Sequence, residues 1–177
     1  MTGLDLDQLL QRRVRDIPDY PQPGVVFKDI TPLLADHTAF TAVIDQFVGH
    51  YGAGTVDKVV GIEARGFILA APVAYHIGAG FVPVRKKGKL PAATYEESYD
   101  LEYGQATVEV HIDAFRPGDR VLIVDDVLAT GGTAAATAEL VRRAGGVVVG
   151  VSVLIELTFL GGRSKVPGLD VHALMAV

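Results

Sequence analysis

The stretch VLIVDDVLATGGT, residues 121–133, decides how this chain is read. Residues 121–124 are apolar without alternation, the pattern of a strand covered on both faces, which is the place of a central strand in a parallel sheet. Asp125 and Asp126 then fall where that strand leaves the core. Beyond them the composition turns small and permissive through Ala129, Thr130, Gly131, Gly132 and Thr133. The segment AAATAELVRRAGG, residues 134–146, is an alanine-rich helix with Arg142 and Arg143 in its last turn and glycines past its end. The layout is strand, acidic pair, glycine loop, helix.

The same alternation extends to both sides. Leu4, Leu6, Leu9, Leu10 and Val14 share one side of a helical wheel, so residues 4–15 predict an amphipathic helix closed by Pro18, Pro21 and Pro23. GVVFKDITPLL, residues 24–34, reads as short and extended. A helix follows over 39–51, then a strand over 55–62 that runs into a turn, a helix over 67–77 stopped by Gly78 and Gly80, and a strand over 81–85. Residues 86–104 carry four acids, two glycines and a proline without a sustained period and are read as a long loop, of the kind that serves as a lid. Strands are predicted over 106–112 and 147–157, and a last one over 170–177. Strands alternating with helices define an α/β fold with a mainly parallel sheet, right-handed crossovers and helices on both faces. Ligands of such sheets bind outside the carboxyl ends of the strands. Three unusual segments fall there: Glu63-Ala64-Arg65-Gly66, Arg85-Lys86-Lys87, and residues 125–133.

Composition sets the limits. A chain of 177 residues suits a single domain over 1–177 and buries roughly 70 % of its unfolded surface. No apolar run approaches the ~20 residues of a spanning helix, and MTGLDLDQLLQRR lacks the order of a signal peptide, so an intracellular, cytoplasmic protein is expected. The absence of cysteine removes disulfides, thiolate chemistry and cysteine-held metals. A net charge of -5 argues against nucleic-acid and anionic-membrane partners, while leaving room for a local basic cluster that binds a small polyanion. The five histidines show no metal-ligand spacing and no serine sits in a nucleophile elbow, which sets aside zinc and hydrolase chemistry.

Backbone N–H groups of a glycine loop at a helix N-terminus form a nest for an oxyanion, aided here by the Thr130 and Thr133 hydroxyls. The loop lacks the lysine of a P-loop, and no G-x-G-x-x-G follows a strand, so neither nucleotide fingerprint fits. Two carboxylates just before a phosphate nest suit a ligand with vicinal hydroxyls, or hydrated Mg²⁺, beside its phosphate. A ribose 5-phosphate meets that description. The plainer alternative is that Asp125 and Asp126 only solvate a strand end and cap its turn; the attached T-G-G-T favours the ligand.

The whole stretch resembles the phosphoribosyl-diphosphate signature of the type I phosphoribosyltransferases. The likeness continues through PGVVFKDITPLL (23–34), GIEARGF (61–67), VPVRKKGKLP (82–91), SYDLEYG (98–104) and SVLIEL (152–157), spanning about residues 16–156, and is greatest to the adenine-using branch. The resemblance implies a parallel-sheet type I fold with a small N-terminal hood over approximately 1–35 and a lid over 86–104. It implies Mg²⁺, adenine and phosphoribosyl diphosphate as ligands, and a homodimer. Carried over by position, Asp125 and Asp126 hold the ribose hydroxyls and reach the metal mostly through water, and residues 129–133 hold the 5-phosphate. Ala64, Arg65 and Gly66 surround the diphosphate, with a non-proline cis peptide there, and Arg85, Lys86 and Lys89 add positive charge. Val26, Phe27 and Lys28 meet the base, with Val127 on its other face. Glu102 is the implied general acid/base near N7 of the base, Tyr103 contacts the ribose-diphosphate region, and Glu96 and Glu97 are taken as solvated.

The implied reaction displaces diphosphate from C1 of the ribose by N9 of adenine, through an oxocarbenium-like ribose. Two other readings stay open: transfer to hypoxanthine, xanthine or a pyrimidine, and a non-catalytic regulator that senses phosphoribosyl diphosphate and binds DNA, for which no DNA-binding appendage is visible. Two features depart from the pattern. Ala92 stands where a glycine is usual, and the tail after Glu156 matches poorly.

Overall fold

The computed structural model describes residues 6–101 and 104–177; Glu102 and Tyr103 lie outside the described residues. The chain divides into two compact units, residues 1–46 and 47–177. The first is longer than the hood implied by resemblance.

In the first unit, α1 (Leu6–Arg13) buries Leu9 and Leu10, the face that the leucine spacing foretold. β1 (Arg15–Ile17) and β2 (Phe27–Asp29) pair antiparallel, and across the register Lys28 Nζ meets Asp16 Oδ1 at 2.7 Å. TPLL is helical rather than extended. Pro32 sits where a helix needs no N–H, and the Asp29 carboxylate accepts from Thr31 N at 2.9 Å, so α2 (Thr31–Leu34) is a capped turn. The division between units falls inside α3 (His37–Tyr51).

The second unit holds a seven-stranded sheet in the order β5-β6-β4-β3-β7-β8-β9. Its strands are β3 (Lys58–Ile62), β4 (Gly80–Lys86), β5 (Thr94–Asp100), β6 (Gln105–His111), β7 (Arg120–Leu128), β8 (Val147–Glu156) and β9 (Val171–Ala176), with α4 (Arg65–Ile77) after β3 and α5 (Gly132–Arg143) after β7. β4, β3, β7, β8 and β9 run parallel, and β6 and β5 add an antiparallel edge. The apolar run of β7 is explained by its two covered faces. Val121 and Ile123 join the cluster formed with Leu140 and Val141 of α5, while Leu122 and Val124 are equally buried on the other side of the pleat.

Residues 86–104 are not one long loop, because β5 occupies 94–100 and pairs along its length with β6. The period was present but hidden by acid content. Tyr95 and Tyr99, four residues apart, pack against the core cluster from one face, while Glu96, Ser98 and Asp100 are exposed. Glu96 and Glu97 also have partners: Lys87 Nζ lies 2.7 Å from Glu96, and Arg143 Nη1 donates to Glu97 at 3.0 Å while its guanidinium lies 5.5 Å from the Tyr95 ring centre. Among the described residues, no helix is long and apolar enough to cross a membrane.

At the far end of the second unit the His50 and His172 rings stack at 3.9 Å. Burial, and behind it His50, holds the His172 imidazole below its usual 6.5. A depressed histidine is neutral in the folded chain, so the stability it contributes is complete above pH 6.5 and is lost as pH falls through the depressed value. The melting temperature should therefore drop between pH 7.5 and pH 5, and His172→Gln should flatten that drop; an unchanged slope would remove His172 from the account.

Candidate active site

β3 and β7 are neighbours whose crossovers leave in opposite directions, β3 through α4 to β4 and β7 through α5 to β8. This is the switch point of an open α/β sheet, where a crevice must form. Pairing between the two strands ends at Gly61 and Val124, yet β7 continues to Leu128 along β8, with Asp125 opposite Val153 and Leu128 opposite Glu156. Asp125 and Asp126 thus lie within the strand, not past its end. No β3 residue pairs with them, because β3 ends at Ile62 and the chain passes through the cis peptide Glu63–Ala64 into α4. Gly66 permits α4 to approach so closely: a methyl group there would lie 2.9 Å from Asp125 Oδ1 and 3.0 Å from the Val124 carbonyl oxygen.

The pleat sends the adjacent acids to opposite faces. Asp126 is 5 % exposed, and its Oδ2 lies 2.7 Å from Arg65 Nε. Asp125 lines a cavity of about 70 Å³ whose other wall is the loop of Ala129, Thr130, Gly131 and Thr133, with Val127 between them. Burial, then the charge of Asp126, pushes the Asp125 carboxyl well above the usual carboxylate range, against a smaller opposing pull from Arg65.

Gly131 sits at the start of α5 with φ +82°, a left-handed conformation. Thr133 Oγ1 donates to the Tyr99 hydroxyl at 3.0 Å, so the edge strand β5 reaches the loop. Nothing in the sequence reading had linked Tyr99 to it.

The basic cluster is less free than its sequence suggests. Arg85 bonds both carboxylate oxygens of Glu63, at 3.2 and 3.3 Å, and Lys86 N donates to Glu63 at 3.0 Å. Burial raises the Glu63 carboxyl, but the Lys86 amide and the Arg85 guanidinium outweigh it and the net position is below the usual range. Glu109, 3 % exposed, accepts from the amides of Lys89 and Leu90 at 2.9 and 2.8 Å. Buried Glu109 and half-buried Glu63 therefore shape the 85–90 turn. In the first unit, Val26 is 51 % exposed and Phe27 stands edge-on to Tyr20 at 5.2 Å, so neither is ordinary core.

A half-buried carboxylate beside a glycine loop at a helix start, set at a switch point, is the arrangement for which the sequence predicts a sugar phosphate. The phosphoribosyl transferase domain matches residues 30–166, and the chain belongs to that family. Its relatives are adenine phosphoribosyltransferases. The chain is 67 % identical over 177 residues to the one from Acidothermus cellulolyticus, covering 100 % of both chains. The crystal structure of that enzyme from Rhodothermus marinus is similar at a TM-score of 0.91 and 55 % identity, over 95 % of this chain and 96 % of that one. The Saccharomyces cerevisiae enzyme, solved with an imino-altritol bisphosphate and adenine, is similar at 0.90 and 37 % identity, over 96 % and 98 %.

Proposed function

We propose that the chain transfers the 5-phosphoribosyl group of phosphoribosyl diphosphate to N9 of adenine, giving AMP and diphosphate. The observation that carries this reading is the cavity that Asp125 and the 129–133 loop line together. The loop amides and Thr130 hold the 5-phosphate, and Thr133 joins them by exchanging its Tyr99 contact for the anion. Asp125 accepts from the ribose hydroxyls, and Asp126 orients Arg65, which faces the diphosphate with Ala64 and Gly66. As the C1–O bond breaks, negative charge builds on the diphosphate, which Arg65, Lys86 and Lys89 stabilise, with Arg85 buffered by Glu63. Val26, Phe27 and Lys28 are assigned to adenine, whose edge a backbone donor and acceptor can match. Glu102 handles the proton at N7, and Tyr103 lies against the ribose diphosphate.

Mg²⁺ fits this donor set. Among the described residues no group of three or more ligating side chains is gathered, but Mg²⁺ needs only one or two hard carboxylates beside substrate oxygens and water: Asp125 would hold it at the cavity, and Asp126, engaged by Arg65, would reach it only through water. Bound there, it supplies charge neutralisation to the diphosphate. A cytoplasmic homodimer is part of the same reading.

Incubating the protein with phosphoribosyl diphosphate, Mg²⁺ and each of adenine, hypoxanthine, xanthine and uracil tests it. AMP from adenine is the expected product; nucleotide formed only from another base would reassign the substrate, and none from any base would favour a sensor. Glu102→Gln should lower kcat about 10²-fold with little change in KM for phosphoribosyl diphosphate, since a general acid/base acts on the chemical step. Near-wild-type turnover in initial-rate assays would strip Glu102 of that role.

A further inference from the structure

The chain beyond Glu156 folds back onto the 129–133 loop. After β8 the chain makes two 3₁₀ turns, Thr158–Leu160 and Gly162–Lys165, before β9. The second presses backbone against backbone. A methyl group on Gly131 would overlap the carbonyl of Gly162, and one on Gly162 would overlap the carbonyl of Ala129 and lie 3.1 Å from Gly131 N. The nest therefore has a rear wall, and that wall is Gly162.

One side chain fixes Gly162 in place. Arg163, its neighbour, donates from Nε to both oxygens of Glu156, at 2.7 and 2.9 Å, from Nη2 to Oε2 at 2.7 Å, and from Nη1 to the Val171 carbonyl at 2.7 Å. Glu156 is 6 % exposed and stands opposite Leu128, the last residue of β7. Leu157 N also donates to the Leu128 carbonyl at 2.9 Å. The fork thus joins the ends of β7 and β8, the turn behind the loop, and β9 in one network. A guanidinium makes these four directed contacts from a rigid plane, which an ammonium cannot.

We infer that Arg163 and Glu156 are positioning residues for the 5-phosphate: they hold Gly162 against residues 129–131 and so keep the nest amides aimed before the anion arrives. This rests on the phosphate-loop reading above. The 5-phosphate is remote from the reacting bond and is held alike in ground and transition states, so a loosened nest raises KM for phosphoribosyl diphosphate and leaves kcat nearly unchanged.

The test compares AMP with adenosine, which differ only in the phosphate, by calorimetric titration of wild type, Arg163→Ala, Arg163→Lys and Gly162→Ala. Wild type should prefer AMP strongly. Arg163→Ala should weaken AMP by about tenfold or more while adenosine binding stays within about twofold, Gly162→Ala should do the same from the other side of the contact, and Arg163→Lys should fall between. KM for phosphoribosyl diphosphate should rise in parallel, with KM for adenine and kcat unchanged. A folded Arg163→Ala protein that keeps the wild-type preference overturns the inference. If that variant does not fold, Arg163→Lys and Gly162→Ala decide by the same preference. Wild type with no preference for AMP overturns instead the phosphate-loop reading on which this one stands.

Discussion

Asp125→Asn should abolish most turnover of phosphoribosyl diphosphate while raising the melting temperature of the ligand-free protein. The loss follows from the contacts assigned to the carboxylate. Each charge-assisted hydrogen bond is worth about 1.5–3 kcal/mol, and a ribose diol offers two, so kcat/KM should fall by about 10²–10⁴-fold. The gain follows from burial, with Asp126 second, pushing the carboxyl well above its usual 3.8. For a group raised on folding, stability is fully present below the unfolded value near 3.8 and is lost as pH climbs through the folded one. Asparagine does not ionise. The variant should thus melt higher than wild type at pH 8 and converge with it near pH 4, each kcal/mol showing as about 2–4 °C in a chain of this length. Turnover within threefold of wild type, or a variant that melts lower at pH 8, would sink the assignment.

Gly131→Ala should cost both stability and phosphate binding. Its φ of +82° lies where a side chain adds about 1–2 kcal/mol of strain, and its methyl group would meet the Gly162 carbonyl, which is backbone and cannot swing aside. The loop must shift, and with it several amides that hold one anion, so kcat/KM for phosphoribosyl diphosphate should drop by about 10³-fold. Gly118 supplies the control. It also has positive φ, at +86°, but no heavy atom lies within 4 Å of a built side chain, so Gly118→Ala should lower the melting temperature modestly and leave KM alone. Equal effects at both positions in paired melting and initial-rate measurements would show that conformation, not contact, sets the cost.

The central strands, the crossover helices and the loop at 129–133 were legible because each carries a local signal: an unbroken apolar run, a 3.6-residue period, a pair of glycines. β5 was not, since a half-buried edge strand with acids on its outer face has the composition of a loop, and only the spacing of Tyr95 and Tyr99 betrays it. The basic segment misled in the opposite sense. Arg85 is charged in any reading, but its engagement by Glu63 comes from a residue in another strand's exit and leaves no mark on local sequence. The same holds for Gly162 behind the phosphate loop. A glycine's reason is what stands next to it in space, which composition does not encode.

The division of the two acids between faces of β7 has a consequence for how such a chain can vary. Side chains on a strand exchange faces with every residue, so one insertion or deletion within 121–124 would exchange the faces of Asp125 and Asp126, while burying the wrong members of the apolar run on each side. Length changes there are tolerable only in steps of two. The turn at 116–119, upstream of the strand, carries no such parity; there contacts set the limit, since Gly118 N donates to the Gly145 carbonyl and Val147 N to the Asp119 carbonyl, each at 2.8 Å.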